Sequence, residues 1–200
     1  MSARLPARLL RLYAGLVTFG ASLALMLRAD LGLGPWDVLH QGLAERLDVP
    51  IGWVVIGVGA LVMLAWIPLR ERPGLGTISN IVVVGLVVDA VLAVLPAAGP
   101  LAVRVGFLLA GIVGTAIATG LYVGAGLGPG PRDGLMTGLA RRGLSVRLVR
   151  TGIEVAVLVI GFLLGGSVGI GTVAFAVLIG PLVQLALPRL AVGTGTGDHA

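Results

Sequence analysis

Between residues 155 and 188 the chain carries no charged side chain. As a single helix rising about 1.5 Å per residue, this run would be roughly 50 Å long, well beyond the roughly 30 Å of hydrocarbon in a bilayer. It therefore has to divide, and the cluster GGSVGIG at 165–171 is the place. Composition gives the setting: 57% of residues are hydrophobic and 12% charged, with a mean hydropathy of +1.07, outside the range of soluble domains. Aromatic residues make up only 4%, so the apolar mass is Leu, Val, Ala and Ile. That suits lipid-facing helices better than the alternating strands of a barrel. The expected fold is all-α, a polytopic membrane protein.

Six spans are expected, at 10–27, 51–69, 78–95, 101–123, 148–164 and 173–190. No cleavable leader is expected, since Arg4, Arg8 and Arg11 precede an apolar run long for a signal peptide. All 14 basic residues are Arg, and they cluster beside the spans: the three at the start, Arg70 and Arg72, then Arg132, Arg141, Arg142, Arg147 and Arg150, then Arg189. With six spans these groups share one side, while the other receives Arg28 and Arg46 against Asp30, Asp37, Glu45 and Asp48. The positive-inside rule then puts both termini in the cytoplasm of a bacterium, with the spans in its plasma (inner) membrane. The same rule accounts for the basic charge without nucleic acid, which is not expected as a partner. There is no Cys, hence no disulfide or thiolate site.

The stretch GLGPWDVLHQGLAER at 32–46 returns 94 residues later as GLGPGPRDGLMTGLARR, if two extra residues are allowed around Gly130 and Pro131. Ten of fifteen positions then match, and the Pro and Asp matches weigh most because Gly, Leu and Ala are common throughout. GLGT at 74–77 likewise answers GIGT at 169–172. The expected organisation is a three-span unit over 1–97, a second over 98–190 and a disordered tail at 191–200, all within one membrane domain. An odd number of spans turns the second unit upside down, the inverted-repeat construction of many secondary transporters.

These paired motifs, GLGPWDVLHQGLA with GTISNIVVVGLVVD and GLGPGPRDGLMTGLA with GTVAFAVLIGPLVQ, resemble the YczE-like group of bacterial integral membrane proteins, related to the YitT-like group. The resemblance covers nearly the whole chain, about 10–190. It implies the fold more than a substrate, although some members are loosely described as permeases.

The helix starting at Pro35 is too short to span. It reads either as an interfacial amphipathic helix anchored by Trp36, with Asp37 complementing its dipole, or as one of two Gly-Pro turns aiming helix N-termini at a shared cavity. On the second reading the substrate-binding candidates are Gly34, Pro35, Trp36 and Asp37, their counterparts Gly128, Pro129, Arg132 and Asp133, and Asn80. Asn80 and Ser79 also read as interhelical hydrogen-bonding residues. Asp89, deep in the third span, is the ion-coupling candidate, with an ion pair to Arg104 as the structural alternative. Glu154 reads as a rim partner of Arg150, the arginines at 141–150 as lipid-headgroup contacts, and His40 as an exposed helix residue.

No HExxH or P-loop motif is present, and the two His are His40 and His199. No catalytic residue, metal or cofactor is expected. The functional expectation is a transporter or permease for a small anionic or zwitterionic solute, with proton coupling through Asp89. The alternative is a non-transporting accessory or regulatory protein that binds a membrane partner. A homodimer is compatible with so small a unit.

Overall fold

Glycine and proline divide the described residues, 4–190 apart from 98 and 144, into nine helices in the computed structural model. α1 (Arg4–Ala29) stops at Asp30, whose φ is 49°. α2 (Pro35–Leu47) starts on Gly34 with proline as its first helical residue. α3 (Ile51–Leu64) follows Pro50 and leads into the single turn α4 (Trp66–Leu69). α5 (Leu75–Val94) starts on Gly74, and α6 (Leu101–Gly124) on Pro100. α7 (Pro131–Ala140) starts on Gly130, before α8 (Val146–Leu163) and α9 (Ile170–Leu190). The uncharged run divides where expected, since α8 ends at Leu163 and α9 begins at Ile170. The expectation for the tail concerns residues outside those described.

Among the described residues five helices are long and apolar enough to cross a membrane, counting Ile51–Leu69 as one. The sixth expected span is α8, an 18-residue helix with Arg147, Arg150 and Glu154 in its first half. Of its residues only Gly161 is buried.

α1 and α6 form the centre, the most extensive helix pair in the molecule. They run antiparallel: a Cβ on Gly15 would lie 2.8 Å from Tyr122 N, and one on Gly114 2.2 Å from Ser22 Oγ. Small residues at the crossing let the backbones approach, the usual basis of helix association in lipid. α5 packs on α1 and α9 on α6.

Contacts recur at a spacing of 95 or 96 residues with their partners exchanged. Arg8 Nε donates to Ala125 O at 2.8 Å, and Arg104 Nε donates to Ala29 O at 2.8 Å, so each arginine caps the C-terminus of the other's helix. Gly76 N donates to Leu127 O at 2.8 Å, and Gly171 N to Leu31 O at 2.7 Å. Gly32 (φ +105°) lies against Gly169 and Thr172, while Gly128 (φ +123°) lies against Gly74 and Thr77. Each Gly-Pro turn is thus seated on the Gly-x-Gly-Thr turn of the other half.

This geometry corrects the register read from the sequence. Gly34 and Gly130 are both N-caps, with φ/ψ of −64°/157° and −63°/157°. The equivalent of Pro35 is therefore Pro131, not Pro129, and no extra residues are needed. Arg132 takes the place of Trp36, and Asp133 remains the counterpart of Asp37.

α3 and α5 close tightly through glycine, a Cβ on Gly85 falling 2.6 Å from Gly52 O, whereas α8 and α9 scarcely touch. Gly→Ala inside a helix ordinarily stabilises by about 0.5–1 kcal/mol. That gain is expected for Gly152→Ala, where nothing lies within 4 Å of the added carbon. Gly85→Ala is expected to destabilise instead, because the clash is with backbone. Thermal unfolding of the two variants in detergent compares them directly.

Candidate functional site

α2 is buried over its first two turns, with Trp36, Asp37, Val38 and His40 all inside the protein. The reason is α8: a Cβ on Gly161 would lie 2.4 Å from Leu39 N, so the two helices meet with no side chain between them. This corrects two readings. α2 is not an interfacial helix anchored by Trp36, which is 6% exposed, and His40 is not a surface residue, being 3% exposed.

The face of α2 opposite α8 borders a small cavity of about 20 Å³, room for about one water molecule. α2 contributes Trp36 and His40, α3 contributes Val55, Val58 and Val62, α5 contributes Asn80, Ile81 and Val84, and α7 contributes Pro131 and Arg132. Two contacts fix the α7 N-terminus: Trp66 Nε1 donates to Pro131 O at 3.0 Å, and Tyr122 Oη donates to Asp133 Oδ2 at 3.0 Å. Arg132 is thereby held over two rings, its guanidinium carbon 5.5 Å from the Trp36 centroid and 5.8 Å from that of Phe19. Such cation–π contacts contribute roughly 0.5–2 kcal/mol each.

Asp37 Oδ1 lies 3.5 Å from His40 Nδ1 and 3.8 Å from Arg132 Nη2, both too long for ordinary hydrogen bonds. Burial pushes the His40 imidazole below its ordinary range; the neighbouring Asp37 opposes this, and the Arg132 charge adds to it. Burial thus favours the neutral imidazole at His40.

Of the residues expected at a site, Trp36, Arg132 and Asn80 come together on the cavity, with Asp37 beside them. Gly34 and Pro35 start α2 and set the direction of this face. Gly128 and Pro129 belong to the turn instead, Pro129 O accepting from Thr77 Oγ1 at 2.8 Å. Asp133 is held by Tyr122. His40, Phe19, Tyr122 and Trp66 were not anticipated; for His40 the signal was its place one turn after Trp36 and Asp37, on the same helix face.

Asp89 does not reach the cavity. Its Oδ1 accepts from Gly52 N at 2.8 Å and so caps α3, whose N-cap position is held by Pro50 with no side-chain acceptor. The pairing of Asp89 with Arg104 is corrected too: Arg104 bonds Asp30 Oδ2 at 3.0 Å. Losing a helix N-cap costs about 1 kcal/mol. Asp89→Ala is expected to lower thermal stability by that amount, and Asp89→Asn, which keeps an oxygen acceptor, by less.

Elsewhere Arg150 Nε donates to Glu154 Oε1 at 2.9 Å, the expected rim pair. Arg141 pairs with Glu71, and Arg142 donates to Pro68 O, so these two tie the end of α7 to α4 and the turn after it. Tyr13 Oη and Ser79 Oγ lie 3.4 Å apart, an interhelical contact of the kind expected of Ser79.

An all-α chain with five membrane-length helices is a polytopic integral membrane protein. The chain belongs to DUF6198, a family of unknown function, which matches residues 6–188. It is 44% identical over 168 residues to an uncharacterized protein of Haemophilus influenzae, covering 84% of this chain and 77% of that one. Over 181 residues it is 34% identical to the uncharacterized membrane protein YczE of Bacillus subtilis, covering 88% and 84% respectively, which bears out the resemblance read from the motifs. The uncharacterized protein YyaS of Bacillus subtilis is 26% identical over 181 residues, covering 87% and 89%. No solved structure matches.

Proposed function

We propose that this protein is a transporter for a small anionic or zwitterionic solute, built from two inverted three-span units in the bacterial plasma membrane. The observation that carries the reading is the exchange of equivalent contacts between the halves, broken at the cavity. Antiparallel helices that swap equivalent contacts, as α1 and α6 do through Arg8 and Arg104, are related by a two-fold axis perpendicular to both. For helices crossing a bilayer that axis lies in the membrane plane, the geometry of inverted-repeat carriers. The cavity sits where the relation fails, with Arg132 standing opposite Trp36 and His40 opposite Met136.

The halves also pack differently, α3 closed on α5 and α8 parted from α9. An exchange of these two packings would open the site alternately to the two sides. The arginine distribution supports cytoplasmic termini.

The test is uptake of a solute panel by proteoliposomes containing the purified chain, preceded by a thermal-shift screen in which a bound solute stabilises by mass action. Saturable flux of one panel member is expected; absence of flux for all of them rejects the reading. Topology is checked separately, because the chain has no Cys. Arg46→Cys and Thr137→Cys, at exposed positions, are expected to label from opposite sides of the membrane. With Asp89 engaged by Gly52, Asp89→Asn is expected to retain flux, and loss of flux in a folded Asp89→Asn protein would restore it as the coupling group.

The second reading, an accessory protein that docks a membrane partner, draws on Gly57, Gly106, Gly152 and Gly180, which face open space. Stable co-purification with one partner, together with no flux, would favour it.

A further inference from the structure

Three polar atoms around the cavity have no hydrogen-bond partner: Trp36 Nε1, Asp37 Oδ1 and His40 Nδ1. They belong to residues 6%, 6% and 3% exposed, and an unsatisfied buried polar group costs about 1–3 kcal/mol. Arg132 stands over them with its charge against two rings and its nearest carboxylate oxygen, Asp37 Oδ1, at 3.8 Å. Building on the transporter reading, we propose that the solute is a small monovalent carboxylate bound by Arg132, and that one proton binds with it on the Asp37–His40 pair.

The ligand class follows from what each wall offers. A guanidinium is a planar fork of donors that matches a carboxylate in two parallel hydrogen bonds, and ring stacking leaves that fork free at its edge. Val55, Val58, Val62, Ile81 and Val84 offer a short apolar body only hydrocarbon contact. An ammonium group finds no acceptor carboxylate among the lining residues, for His40 lines the cavity and Asp37 does not. The cavity as it stands holds about one water molecule, so even a short-chain carboxylate requires the lining helices to part, as the proposed exchange of packings would allow.

The proton follows from charge balance. Without solute, Arg132 and Asp37 neutralise each other. A bound carboxylate brings a second negative charge to the same arginine, and like charges a few ångströms apart in a buried site raise the proton affinity of one of them. His40 Nδ1, 3.5 Å from Asp37 Oδ1, lets the pair hold that proton on either group. Among the described residues no other charge faces the pair. α3 and α5 present the valines, Ile81 and neutral Asn80; α8 presents Gly161; α1 presents Phe19 to Arg132; and Asp133 is held by Tyr122. Linkage is reciprocal, so the proton strengthens carboxylate binding by the factor with which the carboxylate strengthens proton binding.

The experiment adds sodium butyrate to the detergent-purified full chain in weak buffer, follows proton uptake with an indicator dye, and measures melting temperature in parallel from about pH 6 to about pH 8, across the ordinary histidine range. Expected are a rise in melting temperature, uptake of about one proton per bound butyrate, and an apparent Kd that rises up to about tenfold per pH unit at the alkaline end. Asp37→Asn should abolish the uptake and flatten the pH dependence. Butyrate binding without proton uptake, an unchanged pH profile in Asp37→Asn, stabilisation by glycine or choline in place of butyrate, or no stabilisation by butyrate would each overturn the proposal. Proteoliposome flux separates the two levels: flux of a zwitterion leaves the transporter standing and removes the carboxylate, whereas proton-linked butyrate binding with no flux of any solute retains the site and removes the transporter.

Discussion

Substituting Gly32 by alanine is expected to cost roughly 3–5 kcal/mol and to leave little folded protein after detergent extraction. Two independent terms combine. The φ of +105° is one that an L side chain rarely adopts, a strain of about 1–3 kcal/mol. The added carbon would also fall 2.5 Å from Gly169 N and 2.8 Å from Thr172 Oγ1. Relieving that contact means parting two turns held by the hydrogen bond from Gly171 N to Leu31 O at 2.7 Å. Gly143→Ala separates the terms, since its φ is +91° and nothing lies within 4 Å of its added carbon, so strain alone remains. Gly128→Ala should fall between the two, with φ +123° and its closest approach 2.9 Å from Thr77 Oγ1. Equal losses for Gly32→Ala and Gly143→Ala, read as detergent melting temperatures, would show that the seating of one turn on the other contributes nothing.

The helical class and five of the six expected spans were legible because hydropathy and breakers are local signals, and Gly34, Pro50, Pro100 and Gly130 each cap a helix where such residues do. The register of the second turn was not. GLGPGP contains two Gly-Pro steps, either of which can start a helix, and it is the N-cap geometry at Gly130 that shows Pro131 does so. The same limit applies to side chains. His40 reads as exposed on an isolated helix, and it is buried because Gly161, 121 positions later, lets α8 lie against α2. Depth in the third span marked Asp89 as costly, but depth does not reveal which helix it faces; the partner is the N-terminus of α3, so its carboxylate supports the fold. Trp36, Asp37 and Arg132 were found through the paired motif, even though its alignment at 128–131 was displaced by two residues.

Arg132→Gln is expected to reduce solute binding by about a hundredfold or more, through loss of a charge-assisted contact worth roughly 3 kcal/mol. It should also destabilise the empty protein. Asp37, 9% exposed in its side chain, would lose the opposite charge 3.8 Å away. Breaking a fully buried pair costs about 3–5 kcal/mol, and since the Arg132 side chain is 29% exposed, about 2 kcal/mol is the more realistic figure here. The two effects can be separated by adding Asp37→Asn. An asparagine keeps the shape and removes the stranded charge, so the double variant should recover most of the lost stability while still failing to bind solute. If Asp37→Asn restores no stability to Arg132→Gln, the two charges do not act as a pair. If it restores binding as well, the anionic head is held elsewhere, and the ring-stacked guanidinium serves only to pack α7 against α1 and α2.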